Sequence, residues 1–279
     1  MPEIKVILSG LLATLTLATA IAWILQRRQG LTPSIQNLND RIRAWWIIIT
    51  ISSAALLLGP TAMLLFFTLV SALALREYLP NDLNPVLFLI LGFQYLWIYL
   101  GFNIAFLLWI PVWALVIRKH SWALLICVYS VSYVPALLFL KIPNYSGRNA
   151  LLVVFLVLIT QASDVLQYVW GRLLGRHPVA PILSPSKTVE GLIGGVSCAT
   201  ALGAALWSIT PFTQLQAAVV ALLICSAGFL GGLLLSAIKR KRGIKDWGSL
   251  LEGHGGVLDR IDSLILSAPL FFYLTQTLN

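Results

Sequence analysis

The chain has 279 residues, of which 59% are hydrophobic and only 10% are charged, and its mean hydropathy is +0.89. A soluble globular protein carries about 25% charged residues, so this composition excludes an ordinary aqueous surface and predicts an integral membrane protein. The net charge of +9 does not indicate nucleic-acid binding, because the basic residues stand in short loops between apolar segments. The three cysteines, Cys127, Cys198 and Cys225, fall inside apolar segments without metal-ligand spacing and are expected to be inert thiols.

Apolar segments near the length of a bilayer span recur along the chain and predict an all-α, polytopic transmembrane bundle of roughly ten helices. The first segment resembles a signal peptide, but it continues without a polar break and is expected to be an uncleaved span. We treat the whole as one membrane domain, with N-terminal helices in 1–149 and site-bearing helices in 150–279. In chain order the predicted helices are 4–25, 45–58, 60–79, 85–101, 104–117, 121–140, 150–170, 189–209, 215–238 and 261–278.

The distribution of charge predicts the topology. With the N-terminus outside, all but three of the 19 Lys and Arg residues lie inside, the exceptions being Lys5, Lys141 and Arg148. Of the ten acidic residues, Glu3 alone falls outside. Charge is costly in lipid, so both signs gathered at the inner ends indicate an aqueous site on the cytoplasmic side. The expected location is the cell inner membrane, crossed several times.

Two features after residue 160 are candidates for a functional site: Asp164, for which function is favoured, and the loop 171–190, which by itself leaves function and a structural role equally open. Asp164 lies within a predicted span, where a lone carboxylate either pairs with a neighbouring helix or serves a function. The loop 171–190 combines glycines with basic residues suited to phosphate oxygens. The alternative is an ordinary basic loop on the inner side. Thr188 can cap the following helix, whose first amides would attract an anion.

The third feature is the segment 236–263, SAIKRKRGIKDWGSLLEGHGGVLDRIDS. Asp259 and Asp262 are three residues apart, so a helical start places both carboxylates on one face. Hard carboxylate ligands suit Mg²⁺, which commonly bridges a protein to substrate phosphates. The alternative is a charge cluster that grips anionic lipid head groups. For His254, a loop hydrogen bond and a ligand role stay equally open.

This segment resembles the signature of the phosphatidate cytidylyltransferases, also called CDP-diacylglycerol synthases. The matching positions are Ser236, Lys239, Arg240, Lys245, Asp246, His254, Gly255, Gly256, Asp259, Arg260 and Asp262. Positions from Ser184 to Gly195, together with Asp164, Tyr168 and Gly171, also resemble that family. The resemblance covers roughly the last 120 residues, whereas the first half matches only in being apolar.

The resemblance implies transfer of CMP from CTP to phosphatidic acid or a similar anionic lipid, with Mg²⁺ as cofactor and pyrophosphate as the second product. The expected metal ligands are Asp259, Asp262 and Asp164. Catalytic roles are expected for Asp259, Lys239 and Arg260. The residues expected to bind nucleotide or phosphate are Ser184, Lys187, Arg240, Lys245, His254, Gly255, Gly256 and Arg176.

One departure from the family pattern leaves alternatives open. The family has Gly-Asp several residues before the signature serine, and its aspartate helps to hold metal; here the register gives Gly231-Gly232. The glutamate often found before the serine is Leu235 here. The alternatives are a weakened or silent lipid-binding relative and a CTP-dependent polyprenol or phytol kinase. A transporter is disfavoured, because the charges gather at one face.

Two pairs of glycines have the small-residue spacing that is typical of helix packing. Gly228 and Gly232 are spaced for close helix packing, and Gly191 and Gly195 are spaced in the same way. The second pair permits packing either within the chain or in a homodimer.

Overall fold

The computed structural model describes residues 2–79, 85–101, 129–248 and 255–278, and most of them are helical. Its α-helices are α1 (Pro2–Gln29), α2 (Pro33–Leu58), α3 (Pro60–Tyr78), α4 (Pro85–Tyr99), α5 (Tyr133–Ala136), α6 (Asn149–Leu174), α7 (Val189–Ala205), α8 (Gln214–Lys241), α9 (Leu258–Ile261) and α10 (Leu264–Thr277). Two 3₁₀ helices, Leu137–Phe139 and Trp207–Ile209, follow α5 and α7. The strands β1 (Pro178–Ala180) and β2 (Ser184–Thr188) pair as a short antiparallel hairpin.

The prediction of an all-α polytopic bundle is confirmed. Among the described residues, α1, α2, α3, α6 and α8 are long and apolar enough to cross a membrane. Large apolar side chains such as Leu17, Leu65 and Leu230 are exposed on these helices, as expected where lipid replaces water. The predicted helix 104–117 and residues 121–128 of the predicted helix 121–140 lie outside the described residues.

Local sequence explains where α2 begins. The helix begins at Pro33 and not at residue 45 as predicted, because Thr32 accepts a hydrogen bond from the Ile35 N–H at 3.3 Å and proline occupies the first turn. Counting apolar residues detects only the part of a helix that lies in lipid, so the polar first turns of α2 were missed.

Two other stretches differ in detail from the predictions. The loop 171–190 contains the β1–β2 hairpin, and Thr188 accepts a hydrogen bond from the Gly191 N–H at 3.1 Å, which confirms the predicted cap of α7. The predicted last helix, 261–278, begins at Leu264 as α10, and the short helix α9 precedes it with Asp262 and Ser263 between them.

The glycines of α7 allow it to pack directly on the backbone of α6. A Cβ atom at Gly195 would lie 2.5 Å from the Gln167 nitrogen, and one at Gly191 would lie 2.7 Å from the Gln167 carbonyl oxygen. These distances are too short for any side chain. The Gly191–Gly195 spacing therefore serves packing within the chain, which resolves the choice left open by the sequence.

We expect Gly195→Ala to lower the thermal stability of the protein, although alanine favours a helix by about 1 kcal/mol. The new methyl group would overlap the α6 backbone, and such overpacking costs about 1–3 kcal/mol. Gly10→Ala is the matched control, because nothing lies within 4 Å of its Cβ position. Thermal unfolding in detergent measures both. A midpoint for Gly195→Ala at or above that of Gly10→Ala would contradict the packing assignment.

Two ion pairs between distant parts of the chain lie at separate ends of the bundle. Glu3 at the start of α1 pairs with Arg148 before α6 at 3.3 Å, so two residues predicted to lie outside meet. Lys239 at the end of α8 pairs with Asp259 on α9 at 2.7 Å, and both are predicted to lie inside. This arrangement agrees with the predicted topology, while the orientation in the membrane stays a prediction.

Candidate active site

Two adjoining cavities lie between the helix ends that are predicted to face inward. The larger has a volume of about 1080 Å³, and its walls come from α2, α6, the segment after α8, and α9. The smaller, of about 260 Å³, lies between α6, α7, α8 and the start of α10. The residues that line both are Asp164, Tyr168, Asp259, Arg260 and Asp262. The cavities thus bring Asp164 to the charged segment nearly a hundred residues later.

Asp164 and Asp262 are the two carboxylates that line both cavities without a basic partner in the described residues. Within the described ranges, neither has a basic side chain within ion-pair distance. They are close enough to repel each other electrostatically. Asp262 accepts a hydrogen bond from the Ser263 N–H at 2.8 Å, and Gln161 donates to the Ser263 hydroxyl at 3.3 Å. Two converging carboxylates are stabilised by a cation between or beside them.

Buried charge shapes the ionisation of this site. Burial raises the pKa of Asp262 above its ordinary value, and the positive charge of Lys187 opposes that rise. Burial also lowers the pKa of the Arg260 guanidinium; the carboxylates of Asp262 and Asp259 counteract this shift, whereas the charge of Arg41 adds to it. An arginine stays protonated at physiological pH despite such a shift, so Arg260 supplies a fixed positive charge.

Lys187 fills the position where the family pattern has an aspartate. A Cβ atom at Gly232 would lie 2.6 Å from the Lys187 Nζ and 3.4 Å from the Asp262 Oδ2. The ammonium also lies 4.8 Å from the centroid of the Phe229 ring, within the range of a cation–π contact. Gly232 therefore faces the smaller cavity, and its missing side chain makes room for a lysine.

Gly228 and Gly231, which neighbour Gly232 on α8, serve close packing, as the sequence analysis considered for Gly228. Added Cβ atoms would lie 3.3 Å from the Ser263 carbonyl oxygen at Gly228 and 2.6 Å from the Asp262 carbonyl oxygen at Gly231. Gly228 and Gly231 thus let α8 approach the turn that carries Asp262.

Asp259 is held by three donors. Its Oδ1 lies 2.7 Å from the Lys239 Nζ, and its Oδ2 accepts hydrogen bonds from the backbone N–H groups of Trp247 at 2.9 Å and Gly256 at 3.0 Å. The two side chains of the ion pair are 14% and 6% exposed for Lys239 and Asp259, respectively. Gly255 has a φ of +78°, and a Cβ there would lie 2.8 Å from the Asp259 Oδ2. Asp259 thus holds the Lys239 side chain and the backbone at Trp247 and Gly256 in place.

Glu77, at the end of α3, was missed by the sequence analysis. Its carboxylate accepts hydrogen bonds from the Val257 N–H at 2.8 Å and the Leu258 N–H at 2.9 Å, at the start of the helix that carries Asp259 and Arg260. Added Cβ atoms would lie 2.5 Å from this carboxylate at Gly256 and 2.9 Å at Gly248. Gly256 therefore accommodates Glu77, and its role at the nucleotide stays a prediction.

Tyr78, the next residue of α3, contacts the loop that follows α8. Arg242 donates to the Tyr78 carbonyl oxygen at 2.8 Å, and its guanidinium carbon lies 3.8 Å from the centroid of the Tyr78 ring. The Trp247 ring stacks on Tyr78 with centroids 5.1 Å apart. Together with Glu77, these contacts fix the signature segment to the inner end of α3. No sequence pattern linked α3 to that segment.

The remaining predicted site residues are placed as follows. Lys245 and Gly255 line the larger cavity, and Lys187 lines the smaller one. Arg240 donates to the Ile244 carbonyl oxygen at 3.1 Å, whereas Arg176 and Ser184 belong to the hairpin region outside both linings. His254 lies outside the described residues. The roles of all these residues stay predictions.

The donor set suits a hard divalent cation. Asp164 and Asp262 provide carboxylate oxygens beside a polar cavity, and no larger cluster of Asp, Glu, His or Cys with metal-binding spacing occurs in the described part of the chain. Mg²⁺ usually keeps several waters and takes one or two carboxylates, with substrate phosphates completing its shell. Two carboxylates are therefore enough to hold such an ion when a phosphorylated substrate is present.

Comparison with known proteins identifies the family. The model of the cytidylyltransferase family matches residues 39–278. The uncharacterized protein YnbB of Escherichia coli K12 is 41% identical, over 96% of this chain and 97% of its own.

The chain is also similar to enzymes of the same family in staphylococci. The phosphatidate cytidylyltransferase of Staphylococcus saprophyticus is 34% identical and that of Staphylococcus aureus strain COL is 37% identical, over 52% of this chain in each case. The matched part spans 56% of the length of each. The resemblance inferred from residues 164–262 is confirmed, and this chain belongs to the cytidylyltransferase family, a family of CTP-dependent nucleotidyltransferases.

Proposed function

We propose that this protein transfers the cytidylyl group of CTP to the phosphate of an anionic lipid, phosphatidic acid or a close relative, at the inner face of a bacterial cytoplasmic membrane. The observation that carries the proposal is the meeting of Asp164, Asp262, Lys187 and Arg260 in one cavity at the inner ends of apolar helices. The phosphatidate cytidylyltransferases among its relatives support the same chemistry.

The reaction needs positioning and charge stabilisation. An oxygen of the lipid phosphate attacks the α-phosphorus of CTP, the bond from that phosphorus to the oxygen bridging to the β-phosphorus breaks, and pyrophosphate leaves. No protein nucleophile is required. Both reactants are anions, so the site has to gather like charges and stabilise the charge of the transition state.

The residues of the cavities divide this work. Lys187 and Arg260 would bind phosphate oxygens, Lys187 as a point charge and Arg260 through its planar fork. Asp164 and Asp262 would hold Mg²⁺, which when bound polarises the phosphoryl oxygens. Lys239 would contribute positive charge to the site, in the orientation in which its ion pair with Asp259 holds it.

Gly232 supports a second candidate, a lipid-binding relative with weak or no turnover. Family members that carry an aspartate at this position have one more carboxylate for metal, whereas here the Lys187 ammonium occupies the space. The ammonium is itself a cation beside Asp262, so we favour retained activity with fewer protein ligands to metal.

The test is the formation of CDP-lipid by purified protein in detergent with CTP, phosphatidic acid and Mg²⁺, for the natural chain and for Gly232→Asp. Product from the natural chain is the expected result. Product from Gly232→Asp alone would establish a cytidylyltransferase scaffold that has lost a metal ligand. Phosphatidic acid binding without product from either protein would favour the lipid-binding relative.

A further inference from the structure

The first turns of α2 form a polar wall of the larger cavity, opposite the signature segment. The side chains on this wall are Gln36, Asn37, Asp40, Arg41 and Arg43. They come directly before Trp45, where the apolar part of α2 begins. The wall thus lies where the helix passes from water into lipid.

Arg41 is the unpaired cation of this wall. Arg43 lies 3.9 Å from the Asp40 carboxylate, whereas Arg41 makes no hydrogen bond or ion pair with any residue in the described ranges. Its charge acts on Arg260 from the other side of the cavity. Arg41 and Arg260 thus present guanidinium groups to the cavity from two sides, and each is suited to bind a phosphate oxygen.

The surroundings of Arg41 change from polar to apolar along α2. Trp45 lies one helical turn after Arg41, on the same face of the helix, and also lines the cavity. Across from it are Val165 and Tyr168 of α6, both exposed. Tryptophan and tyrosine favour the membrane interface, so this side of the cavity suits the junction between a lipid head group and its chains.

The packing of the helices leaves this side open. In the described part of the chain, α2 packs mainly on α1 and α3, whereas α6 packs mainly on α7. Among the described residues, the space between α2 and α6 is therefore bordered by Trp45, Val165 and Tyr168 and is not closed by another helix. A lipid that enters there brings its phosphate to the level of Arg41.

We propose that Arg41 binds the phosphate of the lipid acceptor, which enters between α2 and α6, while the nucleotide occupies the side of Lys187 and Arg260. This inference rests on the proposed function, because it assigns the two anionic substrates to opposite walls of the same site. The ligand class is a phosphomonoester lipid, and the polar side chains Gln36 and Asn37 lie where its head group would be.

The test measures binding separately from turnover. A fluorescent short-chain phosphatidic acid and CTP are each titrated into purified protein in detergent, with fluorescent phosphatidylcholine as the comparison lipid. Arg41→Gln is expected to weaken phosphatidic acid binding about tenfold, the loss typical of one charge-assisted hydrogen bond, and to leave CTP binding within about twofold of the natural value. Retained CTP binding also shows that the variant is folded.

Two further variants make the result specific. Arg28→Gln removes a basic residue from the same end of the bundle that lines neither cavity, and is expected to bind phosphatidic acid normally. Arg41→Lys keeps the charge without the fork and is expected to recover part of the affinity.

Several outcomes would overturn the inference. Normal phosphatidic acid binding by Arg41→Gln would remove Arg41 from the site, and loss of CTP binding alone would assign it to the nucleotide. An equal loss of phosphatidic acid affinity in Arg28→Gln would show that the effect comes from general surface charge. If the natural chain binds phosphatidic acid through Arg41 but forms no CDP-lipid, the inference stands and the proposed function falls.

Discussion

Asp262→Asn is expected to lower the rate of CDP-lipid formation by at least about 100-fold, equivalent to about 2.7 kcal/mol of transition-state stabilisation. Asp262 lines both cavities and lies beside Lys187 and Asp164. Asparagine keeps the size of the side chain and an oxygen that can accept the Ser263 N–H, so the fold should survive. The change removes the negative charge that would hold a divalent cation against the phosphates.

The measurement is the initial rate with saturating CTP and phosphatidic acid, repeated over a range of Mg²⁺ concentrations. Glu3→Gln is the control, because it removes a carboxylate at the opposite end of the bundle, where the partner is Arg148. The variant should require more Mg²⁺ as well as turning over slowly. A rate within about twofold of the natural chain would exclude Asp262 from the metal site and move that role to another carboxylate.

Glu77→Ala is expected to reduce activity by about 10- to 100-fold, the range found when residues that orient metal ligands are removed. The truncation leaves the amides of Val257 and Leu258 without their acceptor at a buried helix start. A buried donor that loses a charged acceptor costs about 2 kcal/mol or more. Because Asp259, Arg260 and Asp262 follow directly, their positions should loosen while the rest of the bundle persists.

Hydrogen exchange separates this positioning role from general destabilisation. The amides of Val257 and Leu258 should lose protection in Glu77→Ala, whereas those in the middle of α6 should keep it. Glu77→Gln retains one acceptor oxygen and is expected to fall between Glu77→Ala and the natural chain. Normal activity with unprotected amides at 257 and 258 would show that the catalytic segment does not depend on α3.

Sequence alone predicted much of the site because its residues are close along the chain. The segment 236–263 carries Lys239, Asp259, Arg260 and Asp262 in fixed order, and helical periodicity was expected to place Asp259 and Asp262 on one face. Asp164 was found because a carboxylate inside an apolar span is rare. The structure adds the pairing of these parts: Asp259 with Lys239, and Asp164 with Asp262 beside Lys187.

The missed residues have long-range partners and ordinary local contexts. Glu77 and Val257 are 180 positions apart, and a glutamate at the end of an apolar helix resembles any topogenic charge. Arg41 was counted only among the basic inner residues, because its helix was predicted to begin at residue 45. Gly232 was recognised as a departure from the family pattern, but only the fold shows that Lys187 occupies the space.

The central claim, cytidylyl transfer to a lipid phosphate, is tested most directly by following the two ends of CTP separately. Purified protein is incubated with phosphatidic acid, Mg²⁺ and CTP labelled either at the α-phosphorus or at the γ-phosphorus, and the lipid is extracted. The expected result is label from the α-position in the lipid and label from the γ-position in pyrophosphate. Label from the γ-position in lipid, tested with phosphatidic acid and with a polyprenol, would instead identify a kinase and contradict the account.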